Sequence, residues 1–291
     1  MYNWDDMRYF LAVTRSSSLR AAAQSLGVSR STVLRRISAL ESRLAVRLFD
    51  RKPTGYFTTS AGDELLLTAN KMEELSLSAE RKLAGRDSRL SGTIRIAIPA
   101  TLLSGAITRE LAAFAEHHPH IRLEFLTSYG MLDLFKGEAD IAVRVSNSPP
   151  EELVGRRILS IARCCYVASD KAKNGLRPED SKLIGWSASP KHSDWYTEAG
   201  FSSNEITAVI DDPVATVEAV RAGMGMAILP CFMGDTASGL CRVPPGIPLL
   251  SRDLWILTHR DLRKTARIRI FADFIAEAFA KNKDIYEGVS S

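Results

Sequence analysis

The amino-acid sequence predicts an α/β protein made of a small helical head, one long helix and a larger body of alternating strands and helices. Helically spaced apolar residues dominate the first 60 positions, whereas strand-like alternation begins only near Thr93. Between them lies a stretch without proline, which favours an uninterrupted helix. We therefore divide the chain into a head (residues 1–60), a linker helix (61–90) and a body (91–291).

The head contains two short helical patterns around a tight turn. Ala22, Ala23 and Leu26 lie on one face of the first helix, and Gly27 follows, where glycine easily adopts a left-handed C-cap. Ser29 is a good N-cap for the second helix. This arrangement is typical of a helix-turn-helix. The apolar stripe of the second helix is Val33, Ile37, Leu40 and Leu44.

The other face of the second helix is polar and rich in arginine. A helix-turn-helix places the N-terminal part of this helix in the major groove of DNA. The segment after it contains Pro53 and Gly55, which predicts a turn between two short strands and hence a basic wing for phosphate or minor-groove contact. The candidate DNA-binding residues are Ser29, Arg30, Ser31, Thr32, Arg35, Arg36, Arg51 and Lys52.

Charge is distributed unevenly along the chain. Residues 1–60 hold ten basic and four acidic side chains, a net charge of +6, whereas the whole chain carries +4. The other 231 residues hold 28 basic and 30 acidic side chains. This asymmetry favours a head that binds a polyanion. The alternative is an ordinary helix hairpin whose arginines are only solvated.

The head contains a set of short motifs: Ala21-Ala22, Val28-Ser29, Leu40-Glu41, the run from Leu44 to Arg51, and Thr59-Ser60-Ala61-Gly62. With these motifs it resembles the N-terminal winged helix of LysR-type transcriptional regulators. In two places it departs from the family pattern: Arg30 stands where glutamine is usual, and Leu34 where a small polar residue is common. Arginine can bond guanine O6 and N7, so Arg30 remains a candidate, whereas Leu34 is interpreted as packing or as a thymine-methyl contact.

The linker helix carries apolar residues at coiled-coil spacing. Leu65, Met72 and Ala79 are seven apart with Leu75 between them, which outlines a seam. The alternative is a helix packed on its own domain. The resemblance implies that this helix pairs two subunits into a dimer or tetramer, so that two heads bind a pseudo-palindrome.

The body alternates strand and helix patterns, which predicts a mostly parallel sheet with helices on both faces. It resembles the two-lobed effector domain of the same family, itself similar to type 2 periplasmic binding proteins. The resemblance rests on residues 137–144, 166–169 and 217–230 and implies lobe I at about 91–162 and 267–291 and lobe II at about 163–266. Helices are predicted at 107–117, 132–136, 214–222 and 266–280. Strands are predicted at 93–98, 121–126, 140–145, 164–168, 183–186, 208–211, 227–230 and 254–258.

In open α/β sheets a ligand binds beyond the carboxyl ends of strands, near helix N-termini that favour anions. Hydroxyls and an arginine occupy such positions here, and the resemblance implies a small organic effector of unknown identity. Serine and threonine are also common helix caps, so the structural role stays open for each hydroxyl. The candidate effector-binding residues are Thr101, Thr127, Ser128, Arg144, Trp186 and Asp212.

The four cysteines lack the CxxC spacing of zinc sites, so reduced structural thiols are expected. The resemblance adds an alternative, a redox switch between Cys231 and Cys241. No metal site and no Ser/His/Asp or Cys/His set is recognisable, and we expect neither catalysis nor a cofactor.

These features predict a transcriptional regulator. We expect it in the cytoplasm, because the sequence shows no signal peptide and no run of about 20 apolar residues. Its expected partners are double-stranded operator DNA, a small-molecule effector, further copies of the chain and RNA polymerase, but no membrane. Three alternatives remain: a solute-binding protein, an enzyme on the same two-lobed scaffold, and a non-specific architectural DNA protein.

Overall fold

The computed structural model describes residues 3–84, 89–103, 105–127, 134, 138–151, 153–174, 181–186 and 205–289, without the side chains at positions 82 and 84. The chain divides into two compact units, Met1–Leu83 and Ala84–Ser291. The first unit joins the predicted head to most of the linker helix, and the second is the body.

Three helices form the head, the two predicted ones and a further helix before them. Helix α1 (Trp4–Ser16) begins at a capping box, in which Asn3 and Asp6 each accept a hydrogen bond from the other's backbone amide. Helix α2 (Leu19–Leu26) ends at Gly27, whose φ of 66° confirms the left-handed C-cap. Helix α3 (Arg30–Leu44) starts at Ser29, whose side chain accepts a hydrogen bond from the amide of Thr32 at 3.2 Å. Their apolar faces share a core that includes Phe10, Val33, Ile37 and Leu40.

The predicted wing is an antiparallel hairpin of β1 (Phe49–Lys52) and β2 (Gly55–Thr58). The amide of Tyr56 donates to the carbonyl of Ser17 at 2.9 Å, which holds the hairpin against the turn between α1 and α2. Gly55 has a φ of 140°, and a Cβ there would lie 2.5 Å from the Ser17 carbonyl oxygen. Glycine is therefore what allows the wing to approach the helices so closely.

The predicted seam of helix α4 (Ser60–Ala84) has two different environments along its length. Leu65 and Met72 pack against the head core, where Ala69 is fully buried, whereas Leu75 and Ala79 are exposed. The reason is that the first turns of α4 lie on the head. The prediction of one continuous seam is therefore wrong, and the alternative of packing on its own domain holds for this half of the helix.

The body contains one large sheet with strand order β10-β6-β11-β5-β3-β4, and β9 pairs with β6. Strands β3 (Gly92–Ala97), β4 (Ile121–Leu126) and β5 (Ile141–Val145) run parallel, as predicted. Two long strands, β6 (Leu153–Ala168) and β11 (Leu249–His259), pair with each other antiparallel. The shorter strands are β7 (Leu183–Gly185), β8 (Ile206–Val209), β9 (Ala227–Pro230) and β10 (Leu240–Arg242).

The prediction of a mostly parallel sheet is wrong for the described part of the body. The pairs β3–β4, β3–β5 and β7–β8 are parallel, but β5–β11, β6–β11, β6–β9 and β6–β10 are antiparallel. The sequence did not indicate the first half of β6, because Gly155 and the pair Arg156-Arg157 obscure its alternation. That long strand turns the parallel arrangement into a mixed sheet.

The helices of the body are α5 (Ala106–His117), α6 (Ser169–Lys173), α7 (Pro213–Arg221), α8 (Cys231–Gly234), α9 (Ala266–Lys281) and α10 (Lys283–Glu287), with a 3₁₀ turn at Ala100–Leu102. The helix predicted at 132–136 falls almost entirely outside the described residues. Across the parts of the chain that are described, no helix combines the length and apolar character that crossing a membrane requires.

The body has two main apolar cores, as a two-lobed domain requires. The larger core includes Ile96, Phe114 and Phe271, and the smaller one includes Tyr166 and Leu229. The predicted lobe boundaries stay a prediction. Strand β11 falls within the predicted lobe II, yet its residues Leu254 and Ile256 pack in the larger core.

Candidate functional site

The N-terminal part of α3 presents an exposed polar face. Ser29, Arg30, Ser31 and Arg35 are exposed, and Thr32 is partly buried. The Oγ of Ser29 lies 2.9 Å from both the Oγ of Ser31 and the Oγ1 of Thr32, so the three hydroxyls form a network at the helix start. A helix N-terminus carries a partial positive charge and favours phosphate. This end of α3 can therefore hold a phosphate and present two arginines beside it.

Arg36 is placed differently from Arg35. Its Nη2 lies 3.1 Å from Oδ2 of Asp5, its Nη1 lies 3.7 Å from Oδ1 of Asp6, and its guanidinium carbon is 5.4 Å from the centre of the Tyr9 ring. Asp6 is only 1% exposed, and Nη2 of Arg43 approaches it to 2.7 Å. Arg36 therefore ties α3 to α1, and its role in DNA contact stays a prediction.

The wing exposes both of its predicted basic residues. Arg51 lies 3.6 Å from a carboxylate oxygen of Glu41 and 5.9 Å from the centre of the Tyr56 ring. The Nζ of Lys52 lies 5.2 Å from the centre of the exposed Phe57 ring. Cations held over aromatic rings lose part of their freedom before any DNA is bound. The wing is thus a preformed basic edge beside α3.

Glu41 is a structural residue that the sequence indicated only through the family resemblance. Its Oε1 accepts hydrogen bonds from the amides of Leu48 at 2.8 Å and Phe49 at 3.2 Å. Leu48 and Phe49 are both buried, so these amides need an acceptor within the protein. Glu41 therefore fixes the segment that leads from α3 into the wing.

We expect Glu41→Ala to lower the free energy of unfolding of the head by about 1–3 kcal/mol, because two buried amides lose their acceptor. Chemical denaturation of the full chain measures this change. The matched control is Ser42→Ala, a truncation at an exposed neighbour on the same helix. A loss no larger than that of the control would contradict the anchoring role.

The body contains a cavity of about 330 Å³ next to the parallel strands. It brings together three of the predicted effector residues, Thr101, Arg144 and Trp186. Two further arginines line it, Arg163 on β6 and Arg252 on β11. Much of the remaining wall is apolar and includes Leu102, Val145, Ile161, Ile228 and Phe232.

Among the described lining residues of this cavity, Thr127 and Asp212 are absent. Thr127 is exposed after β4, and Ser128 lies outside the described residues. Asp212 caps α7, since its Oδ1 accepts a hydrogen bond from the amide of Ala215 at 2.7 Å. Sequence position alone could not separate these roles, because caps and ligand contacts use the same residue types at the same helix ends.

Arg163 and Arg252 were missed by sequence reasoning, although Arg163 interrupts an apolar run within β6. The Nη2 of Arg144 and the Nε and Nη1 of Arg163 are buried. Burial lowers the pKa of Arg144, but a guanidinium stays protonated at neutral pH. The lining residues that the structure describes include no carboxylate. Three cations and an apolar wall suit an organic anion.

The structure places Cys231 and Cys241 in different apolar clusters of the body. Cys231 packs in one core with Cys164, whereas Cys241 packs with Cys165 on the opposite face of β6. All four thiols are unbonded to each other. Burial raises the pKa of Cys231 to about 11, which disfavours the reactive thiolate. These contacts agree with structural thiols, and the redox alternative stays a prediction.

A basic helix-turn-helix with a wing, joined to a two-lobed body with a ligand cavity, defines the class of DNA-binding regulators that respond to small molecules. Residues 4–63 match the family model described as "Bacterial regulatory helix-turn-helix protein, lysR family". Residues 87–280 match the model of the "LysR substrate binding domain". The chain belongs to the LysR family of transcriptional regulators.

Relatives match along nearly the whole chain. The HTH-type transcriptional regulator CrgA of Neisseria meningitidis is 26% identical over 306 residues, which cover 96% of this chain and 98% of that protein. The HTH-type transcriptional activator AmpR of Yersinia enterocolitica is also 26% identical, and the match covers 92% of this chain and 93% of AmpR.

A solved structure supports the same fold. A full-length variant of AphB, a virulence activator of Vibrio cholerae, superposes with a TM-score of 0.64 at 22% identity. The superposition covers 94% of this chain and 97% of the AphB chain. The chain is thus a DNA-binding regulator with an effector-binding C-terminal domain, and its family consists of regulators, not enzymes.

Proposed function

We propose that the exposed start of α3 contacts operator bases in the major groove while Arg51 and Lys52 of the wing contact phosphates. One observation carries this proposal. Arg30 and Arg35 are exposed at the N-terminal end of α3, on a head with a net charge of +6. Arginine is the side chain that most often bonds guanine in the major groove. Leu34 packs against the head core, which supports its interpretation as a packing residue.

The 330 Å³ cavity is the proposed effector site, and its ligand is a small organic anion. Arg144, Arg163 and Arg252 come from three different strands, so one ligand can contact β5, β6 and β11 together. A ligand changes DNA binding only if it binds one arrangement of the protein better than another. Contacts to several strands supply such a difference, and no cofactor is required.

Two copies of the chain pair through the exposed face of α4. Leu67 and Leu75 are 68% and 71% exposed on this helix, so a partner helix would remove a large apolar area from water. Pairing places two heads on one duplex. As a regulator of transcription, the protein would act in the cytoplasm and contact RNA polymerase at the promoter.

The experiment for the proposed function is selection of binding sites from random duplexes, followed by anisotropy titrations at several salt concentrations. A sequence-specific regulator should bind the selected duplex at least about 10³-fold more tightly than a scrambled duplex of equal length. Equal affinity for both would instead support the architectural alternative.

We expect Arg144→Ala and Arg163→Ala to weaken effector binding by about tenfold or more each, because a charge-assisted contact to the anion is lost. A thermal-shift screen of small carboxylates and phosphates identifies the ligand, calorimetry measures its affinity, and a reporter measures the response. Basal operator binding should persist, since the head is unchanged.

Two further variants locate the site. Arg122→Ala, an exposed arginine on β4 that does not line the cavity, is the charge-matched control. Thr127→Val tests whether the ligand extends to the end of β4. Wild-type affinity in both arginine variants of the cavity would remove the cavity as the effector site.

A further inference from the structure

A second cavity lies in the body and shares none of its lining residues with the first. It measures about 670 Å³ and is formed by the start of β6, the end of β11 and the first turns of α9. Apolar side chains form much of its floor, among them Leu153, Leu257 and Ile268. Three arginines, Arg156, Arg263 and Arg269, and one carboxylate, Asp273, line the same cavity.

Positive charge is concentrated beside this cavity. Residues 259–269 contain five basic side chains and one acidic side chain. The other 190 residues of the body (91–291) contain 18 basic and 23 acidic side chains. A cationic segment on an otherwise acidic domain attracts anions to one place.

The arginines of this cavity are poorly neutralised. Arg157 and Arg242 form close ion pairs in the same domain, at 2.8 Å to Asp253 and 2.6 Å to Asp235. In contrast, Arg263 and Arg269 are exposed, and their side chains make no hydrogen bond or ion pair within the described part of the chain. Asp273, the one carboxylate among the described lining residues, pairs with Arg156 at 3.3 Å, so the three arginines leave an excess of positive charge that a bound anion would neutralise.

Arg156 is available for exchange with a ligand. Its Nη2 makes only long hydrogen bonds, at 3.4 Å to the carbonyl of Ala272 and 3.3 Å to the carbonyl and Oδ1 of Asp273. Optimal charge-assisted bonds of this kind are about 2.7–2.9 Å long. A phosphate between Arg156 and the other two arginines could therefore form shorter bonds than the present ones.

Helix α9 adds to the positive potential. It is 16 residues long, it has no acidic residue in its first turn, and Ile268 and Arg269 of its first turns line the cavity. We propose that this cavity binds a small organic phosphate, with the arginines around the phosphate and the apolar floor under the organic part. A DNA duplex carries its phosphates on a convex surface and would leave that floor uncovered, which favours a small molecule of nucleotide size.

Calorimetry on the full chain tests the proposal with AMP as the probe and adenosine as its phosphate-free control. Wild type should bind AMP saturably and adenosine at least about tenfold more weakly, since arginine–phosphate bonds supply most of the affinity. The double variant Arg263→Gln/Arg269→Gln should lose about tenfold or more in AMP affinity. Its melting temperature should stay unchanged, because neither side chain makes an ion pair within the residues that the structure describes.

The matched control is Arg109→Gln/Arg122→Gln, which removes the same charge from exposed positions outside both cavities. It should bind AMP within about twofold of wild type, because long-range charge effects are screened by salt. If AMP shows no saturable binding up to about 10 mM, the proposal is overturned, because a weaker affinity would not be specific binding. Equal binding of adenosine, or weaker DNA binding by the Arg263→Gln/Arg269→Gln variant with unchanged AMP affinity, would also overturn it.

Discussion

Replacing Arg35 with alanine should weaken operator binding by about 1–3 kcal/mol at one base-pair position, if Arg35 contacts a base edge. The same loss is expected for Arg30→Ala, because both guanidinium groups are exposed on the start of α3. If either side chain contacts a phosphate instead, all sequences should weaken together and the salt slope should fall by about one. Anisotropy titrations on the selected operator and on its single-base variants measure both outcomes.

Arg36→Ala is the informative companion variant, because Arg36 is paired with Asp5 and Asp6. It should lower the melting temperature of the head and leave base preference unchanged. Arg122→Ala, in the other compact unit, controls for the loss of one positive charge. Wild-type affinity in Arg30→Ala and Arg35→Ala would show that α3 is not the recognition helix. A base-specific loss in Arg36→Ala without a change in melting would contradict its assignment to the α1–α3 contact.

Leu75→Glu should separate the oligomer and reduce operator affinity by about a hundredfold or more, because two linked heads bind one duplex far more tightly than one head does. Leu75 is 71% exposed in the single chain, so the charge should not disturb the head core. Burying an unpaired carboxylate between two helices would be strongly unfavourable. Sedimentation measures the oligomeric state, and anisotropy measures DNA affinity.

Two further variants separate loss of pairing from other effects of the added charge. Leu250→Glu introduces the same charge at a 66% exposed leucine in the body, and it should remain oligomeric. Met72→Glu should act differently, because Met72 packs against the head core and its replacement should destabilise the head itself. If Leu75→Glu sediments like wild type, the pairing surface lies elsewhere.

The sequence by itself determined the elements whose signals are local. The N-cap at Ser29, the left-handed cap at Gly27 and the apolar stripe of α3 depend on neighbours within a few residues, and all three appear in the structure as predicted. The wing followed from Pro53 and Gly55 for the same reason. The parallel strands β3, β4 and β5 were likewise predictable, because each carries its own alternation.

Only the tertiary structure decided the features that depend on distant partners. Arg35 and Arg36 are neighbours of the same residue type, so the sequence does not distinguish their roles. The position of α1 does, because it pairs Arg36 with Asp5 and Asp6. Leu65 and Leu75 carry the same side chain, yet one packs on the head core and the other is exposed, because α4 extends beyond the core it packs on.

The sequence also did not predict which residues line the two cavities together. Arg163 and Arg252 are 89 positions apart and line one cavity because β6 and β11 pair along their lengths. Arg156 and Arg269 line the other cavity because α9 packs beside the start of β6. Spacing along a chain specifies which face of an element a residue occupies, but the element that covers that face is determined by burial of apolar surface across the whole domain.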